Sequence, residues 1–236
     1  MTVPLATLHP YTLEFIATVK EIRDQTGIIL ENTYFYPTGG GQPFDTGVLR
    51  LAEKEYLVID VKKQDGVIVH IVDADGLAVG DTVECVIDQP RREKLRRMHT
   101  ATHVLCAVIE RASGAKVTGN QIGEEKTRID FDLERNDPEL MRAWVDEANA
   151  ILASGVKVQK SVTTRDVLLQ RPEMVKLAMG FPEHVTDVHL VDIPGADVQP
   201  CGGTHCDTLS EIGRIVFLGA ETRGKNRRRV YIGLEA

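Results

Sequence analysis

The 236-residue sequence has few of the features that mark secreted or membrane proteins. Its four cysteines are too few and too scattered to form a disulfide framework in a chain of this size. Aromatic residues make up 5% of the chain, and no run of apolar residues is long enough to span a bilayer. Residues 1–10 lack the basic segment and apolar stretch of a secretory signal. We therefore expect a cytoplasmic protein with reduced cysteines and no membrane partner.

The chain also lacks the basic excess that is typical of nucleic-acid-binding proteins, since its formal net charge is −7 at pH 7. Basic residues are nevertheless concentrated in two short segments. These are Arg91, Arg92, Lys94, Arg96 and Arg97 in the first, and Arg223, Lys225, Arg227, Arg228 and Arg229 in the second. Either cluster taken alone is more simply a solvated basic face. However, local potential rather than net charge attracts a phosphate backbone.

The first third of the sequence consists of short β-type segments separated by turn signals. Their content of Val, Ile and Tyr and their alternation fit half-buried strands. We predict strands at residues 13–19, 27–30, 56–62, 67–72 and 82–87. Many short strands with regularly spaced turns are typical of a small β-barrel.

Near residue 90 the pattern becomes helical. Asp88 and Pro90 form a cap and a first turn, and the Ser-Gly pair at 113–114 is a stop signal, which predicts a helix of about 20 residues. Further strands are expected at residues 127–132, 156–163, 188–193, 213–218 and 230–234. We therefore predict an α+β fold, with a small N-terminal β-barrel in residues 1–90 and a two-layer α/β domain in residues 91–236.

Two more helices are expected in the second domain. Asp137 and Pro138 open one of them, and Gly155 closes it. Its apolar side is expected to comprise Leu140, Trp144, Ala148, Ile151 and Leu152. A shorter helix is predicted between residues 172 and 180.

A pair of histidines on the first predicted helix is the sharpest local feature of the sequence. In the segment His-Thr-Ala-Thr-His, His99 and His103 are four residues apart and therefore share one face of the helix. Two imidazoles so placed can bind one metal ion, although such a pair also arises by chance. No glutamate follows His99, so the metalloprotease signature is absent.

A second segment supplies the remaining ligands of a metal site. It reads Cys-Gly-Gly-Thr-His, from Cys201 to His205, and its glycines let the backbone fold tightly around an ion. Together the two segments provide three imidazoles and one thiolate, which is a complete tetrahedral set for Zn²⁺. Four protein ligands are typical of a structural site, whereas catalytic zinc keeps one position open. The adjacent Cys206 could replace Cys201, but a three-residue gap suits a chelating loop better.

A glycine-rich segment, Gly39, Gly40, Gly41 and Gln42, followed by Asp45 and Gly47, is also unusual. Consecutive glycines permit another backbone or a ligand to approach closely. The segment lacks the Gly-Lys-Ser/Thr ending of a phosphate-binding loop, so we expect no nucleotide cofactor. A flexible hairpin, an RNA backbone or the partner domain would each be compatible with it.

In combination, these motifs resemble the AlaX proteins, which are freestanding relatives of the editing domain of alanyl-tRNA synthetase. The resemblance extends through residues 114–121 and 128–131, through Glu211-Ile212-Gly213 and into the Arg-rich segment near the C-terminus. It covers essentially the whole chain, and the glycine motif and barrel indicate the longer AlaX type. Cys206 departs from the apolar residue that we expect after His205.

The resemblance implies a zinc-dependent hydrolase that edits in trans, because no synthetase catalytic domain is present. Its substrate would be alanine tRNA charged with serine or glycine, and its products free tRNA and amino acid. It also implies that one Zn²⁺ is held by His99, His103, Cys201 and His205.

Selecting serine over alanine requires hydrogen-bonding groups that alanine would leave unpaired. The candidates near the metal-bearing helix are Thr102, Thr118, Asn120 and Gln121, for each of which local hydrogen bonding is an equal alternative. No general base is evident, since Glu124 and Glu125 lie in a turn-like segment.

For tRNA contacts we single out the glycine motif, Gly39 to Gln42, and the arginines Arg96, Arg97, Arg227 and Arg228. Two other functions fit the same sequence. One is a zinc-stabilised tRNA-binding module without catalysis, and the other is a deacylase for a different aminoacyl-tRNA.

Overall fold

The computed structural model describes residues 5–135, 137–170 and 187–235, and the chain divides into two compact units, Met1–Lys94 and Leu95–Ala236. The division falls inside a long helix, a few residues after the boundary expected from the sequence. The helix predicted at 172–180 lies outside the described residues. Within the described ranges, no helix is both long and apolar enough to cross a membrane.

The first unit is a closed six-stranded barrel, which confirms the predicted N-terminal barrel. After a short helix α1 (Leu5–Leu8), its strands are β1 (Glu14–Arg23), β2 (Gly27–Leu30), β3 (Gly47–Leu51), β4 (Lys54–Gln64), β5 (Val67–Val72) and β6 (Thr82–Ile87). They are hydrogen-bonded in the order β1-β2-β5-β4-β3-β6, and antiparallel pairing of β1 with β6 closes the barrel. Side chains such as Val19, Ile28, Leu49, Val61 and Val83 fill the interior and are at most 1% exposed.

Strand β3 was not predicted, because the glycine motif hides its beginning. Gly47 starts β3, and a Cβ atom at this position would lie 2.1 Å from the carbonyl oxygen of Val86 on β6. Glycine is therefore required here for β3 to approach β6 closely. The sequence of β3, Gly-Val-Leu-Arg-Leu, does not alternate cleanly between apolar and polar residues. It therefore lacks the usual sequence signal of a half-buried strand.

The second unit contains most of one long helix, two further α-helices and seven strands among its described residues, which completes the α+β fold. The helices are α2 (Gln89–Ser113), α3 (Pro138–Leu152) and α4 (Arg165–Leu169). One sheet has the order β12-β13-β8-β7, from β7 (Val117–Gln121), β8 (Thr127–Phe131), β12 (Ile215–Thr222) and β13 (Arg228–Leu234). A smaller sheet has the order β11-β10-β9, from β9 (Gln159–Thr164), β10 (Asp187–Ile193) and β11 (Asp197–Pro200).

Helix α2 contributes to the core of this unit along much of its length. Met98 and Leu105 on α2 share one apolar core with Ile129 of β8 and Ile232 of β13, and none of these side chains is more than 1% exposed. Packing on the sheet therefore fixes the orientation of α2. The polar side chains that α2 carries beside this core are held with the same rigidity.

Helix α3 begins as predicted and buries most of the residues expected on its apolar side. The Asp137 carboxylate accepts hydrogen bonds from the backbone N–H groups of Glu139 and Leu140, both at 3.1 Å. Trp144, Ala148 and Leu152 are buried as predicted, and Ile151 is partly buried against the same core. Leu140 is 45% exposed, so its expected place on the apolar side was wrong. Met141 and Val145 complete the buried stripe at helical spacing.

Candidate metal centre

Helix α2 presents His99 and His103 on one buried face. Because the two residues are one helical turn apart, their rings lie close together, with centroids 5.2 Å apart. His99 is 4% exposed and His103 is 6% exposed. The neighbouring core residues hold the helix in place, so both imidazoles are positioned before any ligand binds.

The loop after β11 brings Cys201 and His205 to these histidines. The backbone N–H of Cys201 donates to the carbonyl oxygen of His189 at 2.9 Å, and this hydrogen bond anchors the start of the loop to β10. Nε2 of His205 lies 3.2 Å from the Cys201 sulfur, and Nε2 of His99 lies 3.5 Å from it. The loop thus folds its sulfur and imidazole back toward α2.

The ligand atoms of His99, His103, Cys201 and His205 all lie within 4.8 Å of one another. In a tetrahedral site with metal–ligand bonds of about 2.0–2.3 Å, ligand atoms are about 3.5 Å apart. The four residues therefore fit one metal ion with little adjustment, and they are the four that the sequence suggested. Thiolate and imidazole ligands suit Zn²⁺ particularly well.

Cys206 does not share this cluster. Its side chain is fully buried, and its backbone N–H donates to the hydroxyl of Thr100 at 3.1 Å. Burial raises the pKa of the Cys206 thiol to about 11, which keeps it neutral. The alternative in which Cys206 replaces Cys201 thus finds no support in the geometry.

The charges of the cluster suit metal binding. Burial would raise the pKa of Cys201, but the surrounding imidazoles outweigh it and hold that pKa well below its usual value. Burial lowers the pKa of His205 to about 3, which keeps this imidazole neutral. For His103, burial is outweighed by the Cys201 thiolate and the Asp197 carboxylate, which raise its pKa. His103 is therefore protonated and positively charged, and a bound metal cation would replace this charge beside Cys201 and Asp197.

Side chains that sequence reasoning missed surround the ligands. The hydroxyl of Thr100 lies 3.2 Å from Nδ1 of His205, and a carboxylate oxygen of Asp197 lies 3.1 Å from Nδ1 of His103. Gln199 donates to the same Asp197 oxygen at 2.6 Å. Thr100 and His205 are 105 residues apart along the chain, and His103 and Asp197 are 94 residues apart. No local motif therefore reveals these two contacts.

A small cavity of about 50 Å³ lies beside the cluster, with His99 and His103 in its wall. Among the predicted substrate-binding residues, Thr102 and Asn120 line it, whereas Thr118 and Gln121 are exposed side chains outside its lining. The hydroxyl of Thr102 donates to the carbonyl oxygen of Met98 at 2.8 Å. Oδ1 of Asn120 is buried, with no hydrogen-bond partner among the described residues.

The cavity wall also includes residues that the sequence did not suggest. Cys106 and Glu110 both line it. The carboxylate of Glu110 pairs with the ammonium group of Lys116. Neither Glu124 nor Glu125 belongs to the lining, which removes the geometric reason for considering them as a general base.

The first basic cluster is largely engaged with the protein itself. Arg92 is fully buried, and its guanidinium donates to Asp45 at 2.5 Å and to the carbonyl oxygen of Tyr34 at 2.6 Å. Arg96 is 8% exposed and pairs with Glu211 at 3.4 Å. Arg97 donates to the carbonyl oxygen of Ile212 at 2.9 Å. Arg96 and Arg97, which we expected to contact tRNA, both make contacts within the protein, and their contact with tRNA stays a prediction.

In the second basic cluster, neighbouring arginines have different environments. Arg228 is 9% exposed and donates to the carbonyl oxygens of Gly224 at 3.0 Å and Glu134. Arg227, in the turn between β12 and β13, is exposed. Of the two arginines in this second cluster that we predicted to bind tRNA, Arg227 is exposed and Arg228 is buried.

The glycine motif forms a tight turn of the first unit. Gly39 and Gln42 pair their backbone groups, and Gly40 and Gly41 have φ angles of 58° and 84°. Such angles disfavour other residues, and a Cβ atom at Gly40 would meet nothing within 4 Å. Gln42 is fully buried, so the accessible part of the motif is its backbone tip.

The barrel, the sheet-backed helix and the His₃Cys cluster define a class of domain that is associated with tRNA synthetases. Residues 6–91 match the family model described as tRNA synthetases class II (A). Residues 188–231 match the model of the threonyl and alanyl tRNA synthetase second additional domain.

Full-length relatives narrow this class to a family. The chain is 40% identical over 244 residues to the alanyl-tRNA editing protein AlaX-M of Methanosarcina mazei, across 99% of this chain and 97% of that protein. It is 38% identical over 234 residues to AlaX-M of Saccharolobus solfataricus, across 98% of each chain. An alanine–tRNA ligase of Methanopyrus kandleri is 37% identical over 215 residues, which span 89% of this chain and 23% of the ligase. The chain belongs to the AlaX-M family of alanyl-tRNA editing proteins.

Proposed function

We propose that this protein is a zinc-dependent hydrolase that deacylates mischarged alanine tRNA in trans. The observation that carries the proposal is the convergence of His99, His103, Cys201 and His205, whose ligand atoms lie within 4.8 Å of one another beside a small cavity. The printed names of the relatives, alanyl-tRNA editing proteins, support an aminoacyl-tRNA as the substrate.

When bound, a zinc ion would polarise an ester carbonyl or lower the pKa of a water molecule. The residues of this chain then have two tasks. The three imidazoles and the thiolate hold the ion, and the adjacent cavity receives the amino acid. An aminoacyl ester is already activated, so this limited machinery suffices for hydrolysis.

The size of the cavity supports a small amino acid as the acyl group. A cavity must have a volume of roughly 10–15 Å³ to hold one water molecule, and this cavity has a volume of about 50 Å³. It therefore admits a few heavy atoms, which fits serine or glycine, and the apolar side chains of Ala115, Val117 and Ile122 line its wall.

Asn120 supports serine as the preferred substrate. Its buried Oδ1 has no partner among the described residues, and a serine hydroxyl in the cavity would supply the missing donor. Alanine would leave that oxygen unpaired, at a cost of about 1–3 kcal/mol. A site of this kind separates serine from alanine better than an apolar pocket does.

For the RNA we propose the outward face of the β12-β13-β8-β7 sheet and its exposed turn at Arg227. Val230 and Ile232 face the core, so Arg229 and Tyr231 face outward, where Tyr231 pairs with Arg128 of β8. Lys126 lies 3.8 Å from the centre of the Tyr231 ring. Arg229 is paired with Asp130 at 2.7 Å, so we assign the contacts with phosphate and base to Lys126 and the Tyr231 ring.

The glycine turn remains a proposed RNA contact of the first unit. Its exposed tip at Gly40 carries no side chain, so an RNA backbone could approach it closely. Gln42 is buried beneath the turn and supports it rather than reaching the RNA.

The experiment that tests this function is a deacylation panel. Purified, zinc-loaded protein is incubated with alanine tRNA carrying serine, glycine or alanine, and with other tRNAs carrying mismatched amino acids. We expect fastest release of serine from alanine tRNA. Turnover of another aminoacyl-tRNA alone would favour a deacylase of different specificity, and binding without any turnover would favour a zinc-stabilised RNA-binding module.

A further inference from the structure

Asp197 is a buried acid that contacts one of the proposed metal ligands, and no local sequence motif singles it out. It begins β11, directly after the turn that connects β10 to β11, and its side chain is fully buried. One carboxylate oxygen lies 3.1 Å from Nδ1 of His103, which is 94 residues away along the chain. Burying a carboxylate is costly unless hydrogen bonds and an opposite charge compensate.

The hydrogen-bonding geometry at this oxygen favours one position for the proton of the His103 ring. The side-chain N–H of Gln199 donates to the Asp197 oxygen at 2.6 Å, and the same amide nitrogen lies 3.0 Å from Nδ1 of His103. A carboxylate oxygen accepts hydrogen bonds, so its position 3.1 Å from Nδ1 favours a proton on that nitrogen. The shorter contact of the Gln199 amide, at 2.6 Å, directs its N–H to the Asp197 oxygen rather than to Nδ1. In a neutral imidazole, the lone pair then resides on Nε2.

We propose that Asp197 is a positioning residue that keeps the proton of His103 on Nδ1, directs the Nε2 lone pair to the metal, and fixes Gln199 in the cavity wall. This inference rests on the zinc site of the proposed function. Hydrogen bonds from a ligating imidazole to a carboxylate are a recurrent means of orienting the ring and strengthening the ligand.

Charge balance gives an independent reason for a carboxylate at this position. A zinc ion carries two positive charges, and the Cys201 thiolate neutralises one of them. Asp197 supplies the second negative charge through His103, so the buried site as a whole becomes neutral. An amide at position 197 would preserve the shape of the side chain but leave one net charge buried.

Asp197 also links the metal to the substrate pocket. Gln199 lines the cavity that contains His99, Thr102 and Asn120, and its amide is held by the same oxygen that binds His103. A change at Asp197 therefore releases a ligand and a wall residue together. This predicts weaker zinc binding combined with a looser pocket, rather than either effect alone.

The test compares the full-length wild type with Asp197→Asn and with Asp192→Asn as a matched control. Asp192 lies on β10 of the same sheet and is half-buried. Zinc affinity is measured by competition with a chromophoric chelator, and the ligand field by the visible spectrum of the cobalt(II)-substituted protein. We expect a 10- to 100-fold loss of zinc affinity and a shifted cobalt spectrum in Asp197→Asn, and neither change in Asp192→Asn.

A second measurement needs no variant and therefore does not depend on Asp197→Asn folding. Long-range ¹H–¹⁵N spectra of the zinc-loaded wild type should show the His103 proton on Nδ1. A proton on Nε2, or a folded Asp197→Asn protein with wild-type zinc affinity and cobalt spectrum, would overturn the inference. If the wild type binds zinc as expected here but hydrolyses no aminoacyl-tRNA, the proposed function fails and the role of Asp197 stands.

Discussion

The hydroxyl of Thr100 links helix α2 to His205, and both its proton and its two lone pairs are used in hydrogen bonds. It donates to the carbonyl oxygen of Arg96 at 2.9 Å and accepts from the backbone N–H of Cys206 at 3.1 Å. Its second lone pair lies 3.2 Å from Nδ1 of His205, which must therefore donate. This leaves Nε2 of His205 free to face Cys201, at 3.2 Å from the sulfur.

Replacement of Thr100 by valine should consequently weaken zinc binding. Valine keeps the shape of the side chain but leaves Nδ1 of His205 and the N–H of Cys206 without their acceptor, at a cost of about 1–3 kcal/mol for each group. We expect roughly 10-fold or greater loss of zinc affinity by chelator competition. Thr100→Ser, which retains the hydroxyl, should restore it. Equal affinities of the valine and serine variants would contradict this role.

Asn120 should control the hydrolysis of serine esters. In Asn120→Leu the cavity loses the acceptor that we assign to the serine hydroxyl, so kcat/KM for serine-charged alanine tRNA should fall about 10- to 100-fold with zinc still bound. Gln121→Leu is the matched control, since Gln121 is the next residue on β7 and is exposed outside the cavity. The assignment fails if Asn120→Leu hydrolyses the serine ester as well as Gln121→Leu does.

Arg227 should contribute to tRNA affinity through a phosphate contact. Arg227→Glu is expected to weaken binding and to reduce the slope of log K against log salt by about one unit. Arg214→Glu changes an exposed arginine elsewhere in the same unit, with a side chain that is 60% exposed, and should have a smaller effect. Measuring the binding of uncharged tRNA to both variants at several salt concentrations distinguishes their effects. Identical salt slopes for Arg227→Glu and the wild type would exclude this surface.

His70 should make the stability of the protein sensitive to acid. Its Nδ1 donates to the carbonyl oxygen of Ile28 at 2.9 Å, and its Nε2 accepts from the hydroxyl of Thr33 at 2.8 Å, so the buried ring is neutral. Burial lowers its pKa from 6.5 to about 4. The unfolded chain therefore binds a proton that the folded chain does not, and stability present above pH 6.5 is lost as the pH falls toward 4.

The loss attributable to His70 amounts to ~3 kcal/mol across this interval. Denaturant unfolding at pH 7.5 and at pH 4.5 measures it. The His70→Gln variant, which does not titrate, should show a smaller difference between the two pH values, whereas the exposed His9→Gln control should behave as the wild type. An unchanged difference in His70→Gln would show that other groups cause the acid sensitivity.

The parts of the site that were predictable from the sequence are those encoded in short motifs. His99 and His103 are one helical turn apart, and Cys201 and His205 share one short loop, so local spacing alone places each pair. The hydrogen-bonding partners of these ligands, in contrast, lie far from them along the chain. The Asp197–His103 contact spans 94 residues and the Thr100–His205 contact spans 105, and only the fold brings them together.

The same difference between local and long-range information explains which strands could not be predicted, and why the exposure of single arginines could not be predicted either. Strand β11 is four residues long and ends in Pro200, and β7 contains Gly119 and Asn120, so neither carries the alternation from which the longer strands were predicted. Charge clustering likewise cannot show that Arg228 points inward while Arg227 remains exposed. That difference depends on how the side chains alternate across β13 and its turn.

The most direct test of the central claim is to measure bound metal and hydrolysis of serine-charged alanine tRNA in the same preparation. The protein is assayed as purified, after removal of metal by a chelator, and after addition of one equivalent of zinc. Our account predicts about one zinc per chain, loss of hydrolysis on chelation and its recovery with zinc. Full hydrolysis by protein that elemental analysis shows to be free of transition metal would contradict it.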